Sequence, residues 1–472
     1  MICVGQVAKT SEKFKKVSEV IRSAEGLLTS KDALSARAIP VVQELIQITK
    51  ALANQVGLNS GNSSIPPSRD PNRERKTRVK GKKRKPGGQK GHRGSCLKKV
   101  ETPDEVEELW IDRRSLPQGK YEHVGFDTRQ VFDVEFTVKV TEYRAEILED
   151  EQGQQFVAEF PPGVTEPAQY GDSVKELSVY LSQYQMIPLK RVTDHFVSQV
   201  GLPLSKGSVA NFNVLAAEKL EWFEPWARNE LIQSAVINGD ETGININSKG
   251  NWLHCLSSDR ATLFHVDTKR GQEAMENMGV LPYFRGILVH DHWKPYFKYD
   301  CEHSLCNAHH LRELERAFEQ DGQAWAKEMA ELLERINDAV HAAGGNLPKK
   351  EAKSFRSEYR RLLKKAHREC PDSGKRAQSK SRNLLVRLGK FEKEVLRFME
   401  AKEVPFTNNQ GEQDIRMTKV QQKISGCFRS LQGAKNFALI RSYLLTCQKK
   451  GIDPAIALKM LFEGKRPPFA SG

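Results

Sequence analysis

Ser234-Ala235-Val236-Ile237-Asn238-Gly239-Asp240-Glu241-Thr242-Gly243-Ile244-Asn245-Ile246 is the stretch on which the fold turns. Upstream of it the apolar residues recur with helical spacing. Here an apolar run gives way to alternating Ile244 and Ile246, the period of two that belongs to a strand. Trp252-Leu253-His254-Cys255-Leu256 reads as a second strand and Thr262-Leu263-Phe264-His265-Val266 as a third. A helix is expected from about Gln272 to Met278. Gly286-Ile287-Leu288-Val289 reads as a fourth, buried strand that ends at His290-Asp291-His292.

Three strands, a helix, a strand and a helix is the element order of an RNase H-like α/β core. Asp240 is expected just past the end of the first strand and Asp291 just past the end of the fourth. If the central strands are parallel, both project from the edge where α/β sheets place their sites. Two close carboxylates are costly to ionise unless a cation lies between them, and hard oxygen ligands select Mg²⁺ or Mn²⁺. A third carboxylate from a later helix would complete a two-ion site for phosphoryl transfer. Glu412 is the candidate. Thr407-Asn408-Asn409 before it is helix-capping chemistry, and Arg416 and Lys419 follow one and about two turns later on the same face, suited to a phosphate. The separations are 51 residues from Asp240 to Asp291 and 121 from Asp291 to Glu412, the second long enough for a helical insertion. An isolated Asp after a strand is commonly a turn residue, and a Glu near a helix start is commonly a dipole partner. Spacing alone therefore leaves the triad open. Glu241 is the alternative to Asp240, but side chains alternate along a strand, so only one of the two can face a metal.

The 472 residues exceed one ordinary core, and 38% hydrophobic with 28% charged residues suits a soluble chain. No apolar run is long enough to cross a bilayer, no signal peptide is read at Met1-Ile2-Cys3-Val4, and the eight cysteines are scattered. A cytoplasmic, nucleoid-associated protein with no membrane partner is expected. The net charge of +14 is concentrated: from Arg69 to Lys99, 14 Lys and Arg face only Asp70 and Glu74. Such a block points to a polyanion bound through phosphate neutralisation, with Lys82, Lys83, Arg84, Lys85, Lys90 and Arg93 as candidate DNA contacts.

Seven segments follow. Residues 1–56 read as helical, with Leu34, Val41, Leu45, Ile48 and Leu52 forming an a/d stripe that is either a short coiled-coil seam or one side of a small hairpin, interrupted by Pro40. Residues 57–99 are the basic linker, kept from continuous helix by Gly87-Gly88 and Gly91. Residues 100–165 alternate in places, notably over Val131–Val138, and are expected to form a small β-rich unit. Residues 166–230 are helical and compatible with a helix-turn-helix, with Ser205 as a cap. Residues 231–317 form the first part of the core, 318–404 a helical insertion, and 405–472 the second part of the core with C-terminal helices.

Several motifs recur together in a fixed order: Asn62-Ser63-Ser64-Ile65-Pro66-Pro67-Ser68-Arg69-Asp70 and Arg84-Lys85-Pro86-Gly87-Gly88-Gln89-Lys90-Gly91-His92 in the linker, Asp240-Glu241-Thr242, Cys306-Asn307-Ala308-His309, and Asn408-Asn409 through Glu412 to Ile415-Arg416. In these the sequence resembles the insertion-sequence-66 family of DDE transposases over most of its length. The resemblance implies an RNase H-like core, catalytic Asp240, Asp291 and Glu412 holding two divalent ions, and cleavage and joining of DNA at transposon ends. It also implies a dimer or larger assembly on the two ends, with accessory transposition proteins as partners. The rivals are a nuclease of the same fold without strand transfer, and a DNA-binding protein with an inactive core.

The sequence departs from the family's pattern in two places. Members usually carry a cysteine-rich zinc unit after the linker, yet residues 100–165 contain no cysteine and Cys96 stands alone. A degenerate unit without zinc is expected. His290 stands where small residues are more usual, and His290 or His292 is expected to hydrogen-bond near the site. Cys301, His303, Cys306, His309 and His310 have the wrong spacing for two zinc knuckles. Cys306 to His310 is expected to be helical, with Cys306 and His309 packing beside the site, supported by Asn409.

Overall fold

A computed structural model describes residues 20–21, 23–26, 28, 38–56, 58–59, 62–63, 70, 97–372, 374 and 378–470. Leu34, Cys96 and the linker cations Lys82, Lys83, Arg84, Lys85, Lys90 and Arg93 lie outside the described residues.

The centre is a five-stranded sheet built from β3 (Val236–Ile246), β4 (Lys249–Ser257), β5 (Thr262–Asp267), β6 (Ile287–His290) and β7 (Glu302–Leu305), in the order β5-β4-β3-β6-β7. β3, β4 and β5 form an antiparallel meander. The β3–β4 turn is Asn247-Ser248, both with positive φ (46° and 63°), the geometry of a two-residue hairpin loop whose twist matches its strands. β6 pairs parallel to β3 and β7 parallel to β6. The fifth strand, β7, was not anticipated. Its four residues, Glu302-His303-Ser304-Leu305, carry too little apolar alternation to announce a strand, and only a short 3₁₀ turn at Lys294–Lys298 separates β6 from it.

Helices cover the sheet. The α1 helix (Ala38–Val56) lies upstream. The helices α2 (Asp172–Val179), α3 (Leu189–His195), α4 (Lys206–Glu218) and α5 (Phe223–Ile232) occupy the 166–230 segment, and Ser205 caps α4 as expected, accepting from the Ser208 amide at 2.9 Å. They share one core with the sheet residues Ile237, Leu256 and Leu288 and with α6 (Gln272–Met278). A second core joins Val289 and Leu305 to four helices: α7 (Asn307–Asp321), α8 (Ala324–Ala342), α9 (Lys349–Glu369) and α10 (Lys380–Lys390). The helices α11 (Asn409–Ser425), α12 (Leu431–Lys449) and α13 (Pro454–Phe462) complete the chain. Residues of α11 and α12 pack on Ile244, Leu253, Cys255 and Phe264 in a third cluster.

Residues 100–165 contain little strand. A hairpin of β1 (Ile147–Glu149) and β2 (Gln155–Val157) and one 3₁₀ turn at Arg113–Ser115 are its regular elements. The alternating stretch Val131–Val138 forms no strand, and Val131 and Val134 are 86% and 81% exposed. A period of two defines a face, but a strand also needs a partner to satisfy its amides, and none is paired there. In α1, Val41, Leu45, Ile48 and Leu52 are exposed and Ile46 is buried, and Pro40 sits in the helix's first turn, where its missing N–H costs nothing. Among the described residues no helix is long and apolar enough to cross a membrane.

Candidate active site

Strand register decides how the carboxylates meet. In the parallel pair, Asn238 lies opposite Val289. Two residues further along each strand stand Asp240 and Asp291, so the register brings them level at the C-terminal edge. Asp240 is not past its strand: β3 runs on to Ile246 and keeps pairing with β4, Asp240 facing Cys255. It lies past the end of the pairing with β6, and that is what opens the edge there. Asp291 follows the last residue of β6, with its Oδ1 held by the Trp293 amide at 2.9 Å.

Glu412 comes from the first turn of α11. The helix starts where the capping chemistry indicated, but the Asn408 side chain makes no cap hydrogen bond. It crosses to the sheet instead. Its Nδ2 donates to the Gly239 carbonyl at 2.8 Å, its Oδ1 accepts from Asn238 Nδ2 at 2.7 Å, and its backbone amide donates to Cys306 Sγ at 3.2 Å. Gly411 eases the close approach: a Cβ there would stand 3.4 Å from Asp240 Cβ and 3.2 Å from Asn408 Oδ1, a tight fit that the Asn408 side chain would have to yield to. Two residues beyond Glu412, the buried Asp414 pairs with Lys449 of α12 at 2.8 Å and accepts from Thr262 Oγ1 at 3.0 Å, which fastens α11 to β5 and α12.

The electrostatics follow. Burial is the first cause that raises the Asp240 carboxyl to about 7, and the neighbouring charges of Glu241, Glu412 and Asp291 add to it. One Glu412 oxygen, Oε1, is buried with no hydrogen-bond partner. Glu241 points to the other side of β3. It is paired with Arg270, whose Nε lies 3.0 Å from Oε1, and it accepts from the Tyr296 hydroxyl at 2.7 Å. The Arg270 guanidinium lies between the rings of Trp252 and Trp293, 4.9 and 4.5 Å from their centroids.

A cavity of about 310 Å³ opens beside Asp291, with Ser63, Cys306, His309 and Arg387 on its walls. Cys306 precedes α7 with extended backbone, so it is a cap residue rather than part of the helix. Its thiol is raised by burial. Among the described residues, Cys306, His309 and Glu412 bring one ligand atom each within 4.8 Å of one another. His309 Nδ1 is a further buried atom without a partner. His290 does hydrogen-bond beside the site, to backbone: its Nδ1 donates to the Asp291 carbonyl, its Nε2 shares a hydrogen bond with His303 Nδ1 at 3.1 Å, and burial lowers its imidazole to about 3. His292 packs edge-on against Phe391 at 4.5 Å and is lowered to about 4, chiefly by burial.

Of the other expected residues, Asn409 is exposed and Asn408 takes the supporting role. Arg416 and Lys419 are both exposed on α11, with Lys419 Nζ donating to the Gly243 carbonyl at 2.6 Å. Asn62 is read in the sequence only as the start of a linker motif; its buried side chain donates to Glu319 Oε2 of α7 at 2.8 Å and brings the start of the linker to the cavity. A polar residue inside a loop motif gives no sign of a partner 257 positions away.

Residues 168–436 match the family described as Transposase IS66 family, so the class of this protein is transposase. The match spans more than half of the sequence, and the chain belongs to that family. Residues 20–98 match a family of unknown function, DUF6444. No curated protein matches the chain. A chain from the cryo-electron-microscopy structure of the simian T-cell lymphotropic virus intasome in complex with PP2A regulatory subunit B56 gamma is similar at 12% identity, over 44% of this chain and 74% of that one. Its TM-score of 0.14 is too low to bear on fold or function.

Proposed function

We propose that this chain cleaves DNA at the ends of an insertion sequence and joins the 3′ ends to target DNA, with Asp240, Asp291 and Glu412 holding two Mg²⁺ or Mn²⁺ ions in an RNase H-like core. The observation that carries the reading is that Asp240, within β3 just past its pairing with β6, feels the charges of both Asp291, after the end of β6, and Glu412, in the first turn of α11. The sheet order β5-β4-β3-β6-β7, a meander continued by parallel strands, supports the fold assignment. The donor set fits hard cations: Asp240 is raised by burial and by like charges, and Glu412 Oε1 is buried without a partner, both of which a divalent ion relieves. Bound there, the ions would supply Lewis-acid polarisation of the phosphodiester and a more acidic attacking water.

The chain's own residues position and bind. The Trp293 amide fixes the Asp291 carboxylate, and Asn408 ties the Glu412 helix to the Asp240 strand. Arg416 and Lys419, exposed one and about two turns beyond Glu412 on α11, suit the phosphates of the scissile strand. The linker cations Lys82, Lys83, Arg84, Lys85, Lys90 and Arg93 grip the duplex, and Asn62 ties the start of the linker to Glu319 of α7. Two ends must meet, so a dimer or larger assembly does the work in the bacterial cytoplasm, with accessory proteins where the element encodes them.

The test uses the full chain and a duplex spanning an end of the element that encodes it. Wild type with Mg²⁺ is expected to give nicked and joined products, and Asp291→Ala neither while still binding DNA. Activity retained in Asp291→Ala would sink the catalytic assignment, and hydrolysis without joining in wild type would identify a nuclease.

A further inference from the structure

We propose that Cys306, His309 and Glu412 form a second cation site, for a thiophilic divalent ion of the Zn²⁺ class, which shares Glu412 with the carboxylate centre and so competes with it. The inference rests on the reading of Glu412 as a ligand of the catalytic ions. It departs from the expectation that Cys306 and His309 merely pack beside the site.

Three observations carry it. The ligand atoms of the three residues, from the cap of α7, its first turn and the first turn of α11, all lie within 4.8 Å of one another. Ligands of a tetrahedral zinc ion stand about 3.3–3.8 Å apart, so side-chain rotations of about 1 Å close the site. Two of the three side chains, His309 and Glu412, each keep a buried polar atom without a hydrogen-bond partner. Cys306 and His309 also line the cavity beside Asp291, which gives an ion a way in and a place for a water as fourth ligand.

The chemistry separates the two sites. Asp240 and Asp291 offer oxygen alone and suit Mg²⁺, whereas thiolate and imidazole are poor ligands for Mg²⁺ and good ones for Zn²⁺. Glu412 stands between the two sets, and the ion present decides which it serves. Binding replaces the Cys306 thiol proton, which passes to solvent.

Co²⁺ is the probe, added to metal-free full-length protein with Mg²⁺ in excess. Wild type is expected to show the thiolate-to-cobalt charge-transfer band and the visible bands of tetrahedral cobalt at one ion per chain, both abolished by Zn²⁺. Cys306→Ala should lose the charge-transfer band. His309→Ala, which keeps the thiol, should weaken cobalt binding at least about tenfold. Asp240→Asn should keep the band while losing Mg²⁺-dependent cleavage, which separates failure of this site from failure of the catalytic reading. No charge-transfer band in folded wild type, or a band that persists in Cys306→Ala, overturns the site. A full band with Zn²⁺ leaving Mg²⁺-supported cleavage unchanged overturns the sharing of Glu412.

Discussion

Asn408 donates its side-chain amide to the carbonyl of Gly239 at 2.8 Å, so the segment leading into Glu412 is bonded to the residue just before Asp240. Asn408→Ala leaves the Gly239 carbonyl and the Asn238 amide buried without partners, at a cost of roughly 2–4 kcal/mol. The α11 start then loses its register on β3, and a misplacement of about 1 Å costs on the order of a hundredfold in rate. Asn409→Ala, at an exposed position, should leave both near wild type. Thermal melts and cleavage rates of the two variants check this, and equal effects would show that Asn408 is not the tie.

Asp240 sets a pH dependence. Its folded carboxyl is raised to about 7 from an ordinary 3.8. Ionising it therefore penalises the metal-free fold fully above about 7, and the penalty fades as pH falls toward the ordinary value. Metal-free protein should gain stability through this group on acidification from about pH 8 to about pH 5, by a few kcal/mol at most. Mg²⁺ affinity should move the other way, falling about tenfold per pH unit below about 7 as a proton competes. Asp240→Asn should raise the metal-free Tm at about pH 8 and abolish the further rise with Mg²⁺. Calorimetry at two pH values with and without Mg²⁺ reads all three.

Glu241 is adjacent to Asp240 and faces the opposite way. Glu241→Gln keeps an acceptor for Tyr296 and should retain cleavage within about tenfold, while Asp240→Asn loses at least about a thousandfold, the scale of a lost electrostatic group. Arg270→Ala should be the more damaging to the fold. It strands a carboxylate that is 3% exposed and removes the cation between two Trp rings, roughly 2–3 kcal/mol together. Loss of cleavage in Glu241→Gln equal to that in Asp240→Asn would reverse the assignment.

The linker is tested by salt. Replacing Lys82, Lys83, Arg84 and Lys85 with Ala removes up to four phosphate contacts. The slope of log K against log salt for duplex binding should become less negative by roughly 3–4. An unchanged slope, measured by anisotropy across a salt series, would take the DNA contact away from this segment.

The strands were legible because Val236-Ile237, the alternating Ile244 and Ile246, Trp252–Leu256 and Ile287–Val289 carry β-branched or apolar residues near turn residues, and each of these segments meets a strand to pair with. The start of α11 was legible from Thr407-Asn408-Asn409, although the Asn408 side chain makes a tertiary bond rather than a cap. β7 was missed because four polar-leaning residues form a strand only when β6 is there to pair with. The alternation at Val131–Val138 misled for the same reason, since its pattern met no partner.

Sequence by itself determined the family, through motifs in order, and the concentration of charge in the linker, because both are properties of residue identity along the chain. It also marked Asp240, Asp291 and Glu412 as candidates. Only the tertiary structure decided that Asp240 and Asp291 stand level, since the register Asn238 to Val289 is a relation between strands. The same holds for Glu241 facing Arg270 and for Cys306 and His309 drawing near Glu412. Proximity between residues 29 to 106 positions apart is set by how packed elements close on one another, and no local pattern encodes it.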